Sequence, residues 1–430
     1  MELEALLKEE IKSALEKLED EDKERGLSSY LPQLTFYKIH GLTNKENFHS
    51  KFITFLLNPK KQHGCGNNFL KLFIEILNKR IHCENLNLSS LVLDDYNEAK
   101  AETGTVINKK QISGGRVDIR IFKTKEVKKK NIIIENKIYA QDQWAQLARY
   151  NTDYSDSTIV YLTLLGKSAS SYSLNYQNKK LEKEDYIRIS YKDDIKRWLC
   201  QCLNYLQNDD NYKNNKEQNN KVSILINDYL TVIKELTYGE RKKEVILSIL
   251  SKNIDTVKFV FENPGVVNKI TEYKDTIIPL KRYLVREKFI KIMLNNLIET
   301  IGDGLSWKIN EGRGIMQKGW GFQFYKTKWE KINIKIGFYF KKKNLEDCNF
   351  GLQKYNPAVD TTPECFTHQI KDKKSKSGWY CLEKLSDYPN WYRNIFYDLM
   401  SVNIEKTPFY ECIEGIVRKK CDEIESIILK

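Results

Sequence analysis

Histidine is scarce in this chain, five residues among 430, and no G-x-S-x-G segment occurs. A hydrolase built on a Ser-His or Cys-His couple needs an imidazole beside an exposed nucleophile, so the sequence offers little basis for one. Long apolar runs are missing too. No stretch reaches the roughly 18 residues of a membrane helix. The opening MELEALLKEEIKSALEKLEDEDK is acidic and helical in pattern, unlike a secretory signal. A cytoplasmic protein without membrane contact is the expectation. The nine cysteines are an odd number with no C-x-x-C pair, which reads as reduced core thiols rather than a disulfide framework. His63 and Cys65 with His82 and Cys83 match no common zinc-finger spacing. Gly166-Lys167-Ser168 copies the end of a phosphate-binding loop, but Tyr161 stands where the first glycine of that loop is required.

Positive charge, by contrast, is plentiful. A formal charge of +13 with a pI near 9.0 fits a polyanionic partner, since a basic surface attracts phosphates whatever the fold beneath it. A composition rich in Lys, Asn and Ile from an AT-rich genome gives the same charge, and both readings stand. The length implies two domains. Residues 1–30 read as an amphipathic helix with Leu3, Leu7, Ile11, Leu15 and Leu18 on one stripe, suited to packing or self-association. Residues 31–238 read as an α/β domain, and residues 239–430 as a C-terminal α+β domain for substrate or partner recognition. Among the C-terminal tryptophans 307, 320, 329, 379 and 391, core filling is favoured over base stacking.

Within the α/β region the order is helix, three strands, helix, strand. A helix over 44–57 ends at Asn58-Pro59, and a second apolar helix follows. The segments AKAETGTVI, RVDIRIF and NIIIENKI are joined by short polar turns and read as an antiparallel meander. AQDQWAQLARYN is a helix and STIVYLTLLG a buried strand. The third strand is the odd one, because a carboxylate and an ammonium sit inside an isoleucine run. Alternate residues of a strand share a face, so Glu135 and Lys137 point one way and Ile134, Asn136 and Ile138 the other. On the preceding strand Asp118 shares a face with Arg116 and Arg120, opposite Val117, Ile119 and Ile121. Paired with charged faces together, Asp118 and Glu135 approach each other. Two carboxylates about 4 Å apart repel by roughly 4 kcal/mol at an effective dielectric near 20, and Lys137 offsets only one of them. A hard divalent cation would resolve the excess. A salt-bridged face neutralised by Arg116 or Arg120 is the other reading of the same pattern.

The segments ENFHSKFITFLLNP, HGCG, GGRVDIRI and IIENKIYAQDQWAQLARY together resemble the PD-(D/E)XK nuclease superfamily, and within it a mostly uncharacterised bacterial branch. The resemblance covers about residues 45–200. It implies a restriction-endonuclease-like core, Asp118 and Glu135 as metal ligands, Lys137 as the catalytic lysine and the Asn136 carbonyl as a further ligand. The named proline is absent, Val117 preceding Asp118. Gln146 and Tyr150, four apart on one helical face, resemble the Gln-x-x-x-Tyr motif of RecB-like nucleases and would position the nucleic acid strand. Glu46 corresponds to the acidic residue that members often add to the metal site, although Thr43 and Glu46 also have the spacing of a helix capping box. His49, one turn on, reads more readily as a structural histidine than as a site residue, and Glu102 is a weaker acidic candidate. The implied cofactor is Mg²⁺ with Mn²⁺ as a substitute, the implied partner DNA, and the implied role antiviral defence or DNA processing. The competing functional readings are a non-catalytic nucleic-acid-binding module on a nuclease scaffold, or a regulatory interaction protein that assembles through the N-terminal helix or C-terminal domain, as a homo-oligomer or with another protein.

Overall fold

The structure, a computed structural model, describes residues 2–24, 34–101, 117–124, 130–140, 142–143, 145–154, 156–176, 179–208, 216–302, 304–309, 315, 317–354, 379–391 and 393–428. The chain divides into two compact units, Glu19–Lys242 and Met1–Leu18 with Lys243–Lys430.

In the first unit a five-stranded mixed sheet carries helices on both faces. Its strands are β1 (Glu98–Lys100), β2 (Ile119–Phe122), β3 (Ile132–Lys137), β4 (Thr158–Thr163) and, after a short hairpin of β5 (Asn175–Tyr176) and β6 (Lys179–Lys180), β7 (Ile187–Ser190). The order across the sheet is β1-β2-β3-β4-β7. The first three strands form the antiparallel meander expected from the sequence. β4 then pairs parallel to β3, and β7 parallel to β4, as a helical crossover requires. The helices are α1 (Glu2–Glu24), which the division of units cuts, α2 (Phe36–Ile39), α3 (Glu46–Leu57), α4 (Asn68–Cys83), α5 (Gln146–Asp153), α6 (Ser171–Leu174), α7 (Lys196–Asn208) and α8 (Lys216–Leu250), also cut.

The isoleucine-rich strands explain this layering. All six residues of β3 are buried. Ile132 and Ile134 join Ile119, Ile121, Val160, Leu162, Ile187 and Ile189 in a core closed by α3, α4, α7 and α8. Ile133 turns to the opposite face and packs with Leu147, Ala148 and Tyr150 of α5. Each buried isoleucine contributes about 1.5–3 kcal/mol, which holds the strand in register while its C-terminal half carries charge. Val117 differs from expectation. It packs on the α5 side with Ile133 rather than with Ile119 and Ile121, because the chain enters regular β-structure only at Ile119. Glu102 and Arg116 lie outside the described residues.

α3 starts at Glu46, with Lys45 as its N-cap and no side-chain cap. The Thr43 to Glu46 capping box is therefore not formed, and Glu46 is free to reach elsewhere. At the other end Asn58 is extended before Pro59, as the sequence implied.

The second unit has its own five-stranded antiparallel sheet of β8 (Ser306–Ile309), β9 (Gly321–Tyr325), β10 (Ile334–Phe340), β11 (Cys348–Lys354) and β12 (Glu383–Lys384), in the order β12-β11-β10-β9-β8. Its inward residues are aromatic, with Phe322 and Phe338 stacked at 4.6 Å. Trp320, Trp329 and Trp391 are fully buried, which is the core role favoured for them. Trp307 and Trp379 are only partly covered.

Candidate active site

The functional side chains gather where β3 ends. The β2–β3 register, Ile119 opposite Ile134, brings Asp118 opposite Glu135, and the two carboxyl groups are hydrogen-bonding neighbours. The Asn136 N–H also donates to Asp118 Oδ2 at 2.8 Å. Glu135 is 1 % exposed and Lys137 6 %.

Three donors meet the Glu135 carboxylate. Lys137 Nζ lies 2.6 Å from Oε1, Gln146 Nε2 donates to Oε1 at 2.7 Å and the Tyr150 hydroxyl to Oε2 at 3.0 Å. Gln146 also donates to the Tyr150 oxygen at 3.1 Å. Gln146 and Tyr150 are both buried and are spent on Glu135. Their partner is thus the carboxylate itself, where the sequence suggested a nucleic acid strand. The residue before them, Ala145, holds φ +51° as the N-cap of α5. That left-handed backbone costs a non-glycine residue about 1 kcal/mol, and it starts α5 where Gln146 reaches the strand.

Glu46 comes from the start of α3, which packs on the face of the sheet opposite the Glu135 side chain. Its Oε1 accepts from the backbone N–H groups of Ile138 (2.8 Å), Tyr139 (3.2 Å) and Ala140 (3.0 Å), a nest at the end of β3. Its charge is felt at Asp118 and at Lys137. Asn136 belongs to the site in two ways. Its backbone serves Asp118, and its side chain, on the opposite face of β3, donates to the Glu46 carbonyl (3.2 Å) and Ser50 Oγ (3.0 Å) while accepting from the Tyr191 hydroxyl (2.9 Å).

The electrostatics follow from burial and crowding. Burial raises the pKa of Glu135, and the charge of Asp118 adds to it, to about 8 against the donors. Asp118 is raised as well, chiefly by burial, with the Asn136 N–H and Lys137 opposing. Burial pulls Lys137 down, but the Glu135 charge and hydrogen bond outweigh it, and the ammonium is held above its usual range. Among the described residues, Lys137 is thus the cation coupled to all three carboxyl groups, Glu46, Asp118 and Glu135.

Whether such a set could hold a divalent ion depends on its donors. Among the described residues no three His, Cys, Asp or Glu side chains converge closely enough to cage a metal. Glu46 is turned to the amides of residues 138–140, which leaves the pair Asp118 and Glu135. Mg²⁺ keeps several waters and commonly takes one or two carboxylates. The pair, short of positive charge and made of hard oxygens, fits that ion.

His49 and His63 are both engaged in hydrogen bonds within the core. His49 is fully buried, its Nε2 donating to the Thr43 carbonyl (2.8 Å) and its Nδ1 2.9 Å from the Tyr229 hydroxyl; burial lowers its pKa. His63 bonds the Asn58 carbonyl and takes the Cys65 N–H. Sequence reasoning missed Ser50, Tyr191 and the Asn136 side chain. Tyr191 stands 55 residues from Asn136, and only the pairing of β7 through β4 to β3 brings them together.

The sequence model of the PD-(D/E)XK nuclease superfamily matches residues 34–231, a span that contains Glu46, Asp118, Glu135, Asn136, Lys137, Gln146 and Tyr150. No curated protein and no solved structure matches the chain. No described helix is long and apolar enough to cross a membrane.

Proposed function

We propose, given that residues 34–231 belong to the PD-(D/E)XK nuclease superfamily, that this region is a metal-dependent deoxyribonuclease hydrolysing phosphodiester bonds. The observation that supports it most is the buried Glu135 carboxylate, bonded by Lys137, Gln146 and Tyr150 and pressed against Asp118. Asp118 and Glu135 would hold Mg²⁺, or Mn²⁺ in its place, with the Asn136 carbonyl as a further oxygen donor and Glu46 adding only its Oε2, since Oε1 is taken by the amides of residues 138–140. Such an ion supplies Lewis-acid polarisation of the phosphate and a more acidic water.

The protein groups do the rest. Lys137 stays protonated beside Glu135, so it can orient a water and stabilise negative charge developing on the phosphoryl oxygens, but it is not a free base. Gln146 and Tyr150 hold the Glu135 carboxylate in one orientation. The basic surface, part of a net +13, binds the DNA backbone without reading its sequence. Antiviral defence or DNA processing, as the resemblance implies, completes the proposal. Cell survival under viral challenge with wild type and Glu135→Ala tests that role.

The biochemical test is a cleavage assay over linear, circular, single-stranded and double-stranded DNA and RNA, with and without EDTA. DNA cleavage in Mg²⁺ that EDTA stops supports the reading. Nucleic acid binding without cleavage of any substrate in Mg²⁺ or Mn²⁺ would replace it with the non-catalytic binding module.

A further inference from the structure

We infer that Asn136 is a positioning residue that sets the spacing of Glu46, Asp118 and Glu135; the inference rests on the nuclease reading above. Like-charged groups gathered at one strand end push apart unless the backbone that carries them is fixed. Each of the three acidic residues has a direct tie to this one residue, through backbone, side chain or chain neighbourhood. The Asn136 amide donates to the carbonyl of Glu46 and to Ser50, one turn later, so it clamps the first turn of α3, from which Glu46 projects. Its backbone N–H holds Asp118 at 2.8 Å. Glu135 and Lys137 are its chain neighbours.

The clamp is itself held. Asn136 is fully buried, and its Oδ1 accepts from Tyr191 at 2.9 Å. Both amide hydrogens and the carbonyl oxygen are thus occupied, which fixes the amide orientation and with it the direction of the clamp. Tyr191 follows β7 directly, so the grip runs from the far edge of the sheet through Asn136 to α3. Outer partners of this kind typically change metal affinity or activity by about 10–100-fold.

The test compares the full chain with Asn136→Ala, Tyr191→Phe, Ser50→Ala and, as a control, Ile226→Val in the core of the same unit. Tyr191→Phe and Ser50→Ala each remove one bond and serve if Asn136→Ala does not fold. Calorimetric Mn²⁺ titration of the metal-free protein, without DNA, is read beside kcat, KM and thermal melting. Tyr191→Phe is expected to weaken Mn²⁺ binding about tenfold and to lower kcat by a similar factor, with KM for duplex DNA within about twofold. Ile226→Val is expected to lower the melting temperature and leave Mn²⁺ affinity unchanged. Folded Tyr191→Phe and Ser50→Ala proteins that bind Mn²⁺ and cleave like wild type would overturn the inference. So would equal weakening by Ile226→Val, since general loosening would then suffice. A wild type that neither binds Mn²⁺ nor cleaves removes the nuclease reading and this inference with it.

Discussion

Each of the two five-stranded sheets buries a lysine near one end of a strand, Lys137 at the end of β3 and Lys335 at the start of β10, and the two lysines behave in opposite ways. Lys137 of β3 is held above the usual lysine range by Glu135, which burial alone would not allow. Lys335 of β10, equally buried at 7 % exposure, is pushed down to about 7 by burial and by the charge of Lys308. The sheet environment is similar and the neighbours are not. Burial drives a lysine toward the neutral amine, and a contacting carboxylate reverses the direction. The fixed cation beside Glu135 is therefore a property of the pair, while in the C-terminal sheet burial and the charge of Lys308 carry a strand lysine the other way.

Breaking the pair should have the largest effect. Asp118→Ala, Glu135→Ala and Lys137→Ala are each expected to lower DNA cleavage by about 10³-fold or more with the fold intact by circular dichroism. In Glu135→Gln the Lys137 ammonium should also titrate at lower pH than in wild type, moving toward Lys335, as NMR of the lysine amines would show. An unchanged Lys137 would mean that Glu135 does not set its charge.

A smaller effect concerns pH. Glu135 titrates near 8 in the folded chain and near 4.5 in its ordinary state, so between those values the native protein binds more protons than the unfolded one. The stability this group provides is complete below about pH 4.5 and lost as pH rises to about 8. Asp118, also raised, acts in the same sense. Urea unfolding of metal-free protein should show the loss, roughly 2–4 kcal/mol, and Glu135→Gln should flatten it. Lys335 has the opposite slope. Its folded value is depressed, so its penalty is full below about pH 7 and fades as pH rises toward 10.5. Lys335→Met is accordingly expected to stabilise the protein at pH 7 by about 1–3 kcal/mol, with no loss of cleavage.

The smallest contrast lies in the backbone. Asn333, just before β10, and Ala145, just before α5, both have positive φ, 57° and 51°. Asparagine tolerates that region, whereas alanine does not. Ala145→Gly is expected to stabilise by about 0.5 kcal/mol or less, the relief being partly offset by glycine's freedom in the unfolded chain. Asn333→Gly should be close to neutral in the same melting experiment.

Much of the α/β unit was legible in the sequence because its signals are local. Strand alternation placed Glu135 with Lys137 and Asn136 on the opposite face, and the meander, the helix after it and the next strand follow from runs of apolar residues and polar turns. What stayed hidden depends on long-range pairing. The destination of Glu46 was ambiguous because capping-box spacing and an amide nest at the end of a distant strand look alike from one position. The roles of Tyr191 and Ser50 carry no local signal at all. Gln146 and Tyr150 stood out through their resemblance to a Gln-x-x-x-Tyr motif, their spacing placing them on one helical face, but only the burial of α5 against β3 shows that they face Glu135. In the second unit the aromatic core was readable and the buried lysine was not, since Lys335 looks like any polar position on a strand with one wet face.

The most direct test of the central claim, that Asp118 and Glu135 form a cation site completed from outside the chain, is a calorimetric Mg²⁺ titration of the metal-free protein at pH 7 in two buffers of different ionisation heat. The expected result is binding accompanied by proton release from the Asp118 and Glu135 pair, and loss of that binding in both Asp118→Ala and Glu135→Ala. Binding without proton release that survives both substitutions, or no binding of Mg²⁺ or Mn²⁺ by wild type, would contradict it.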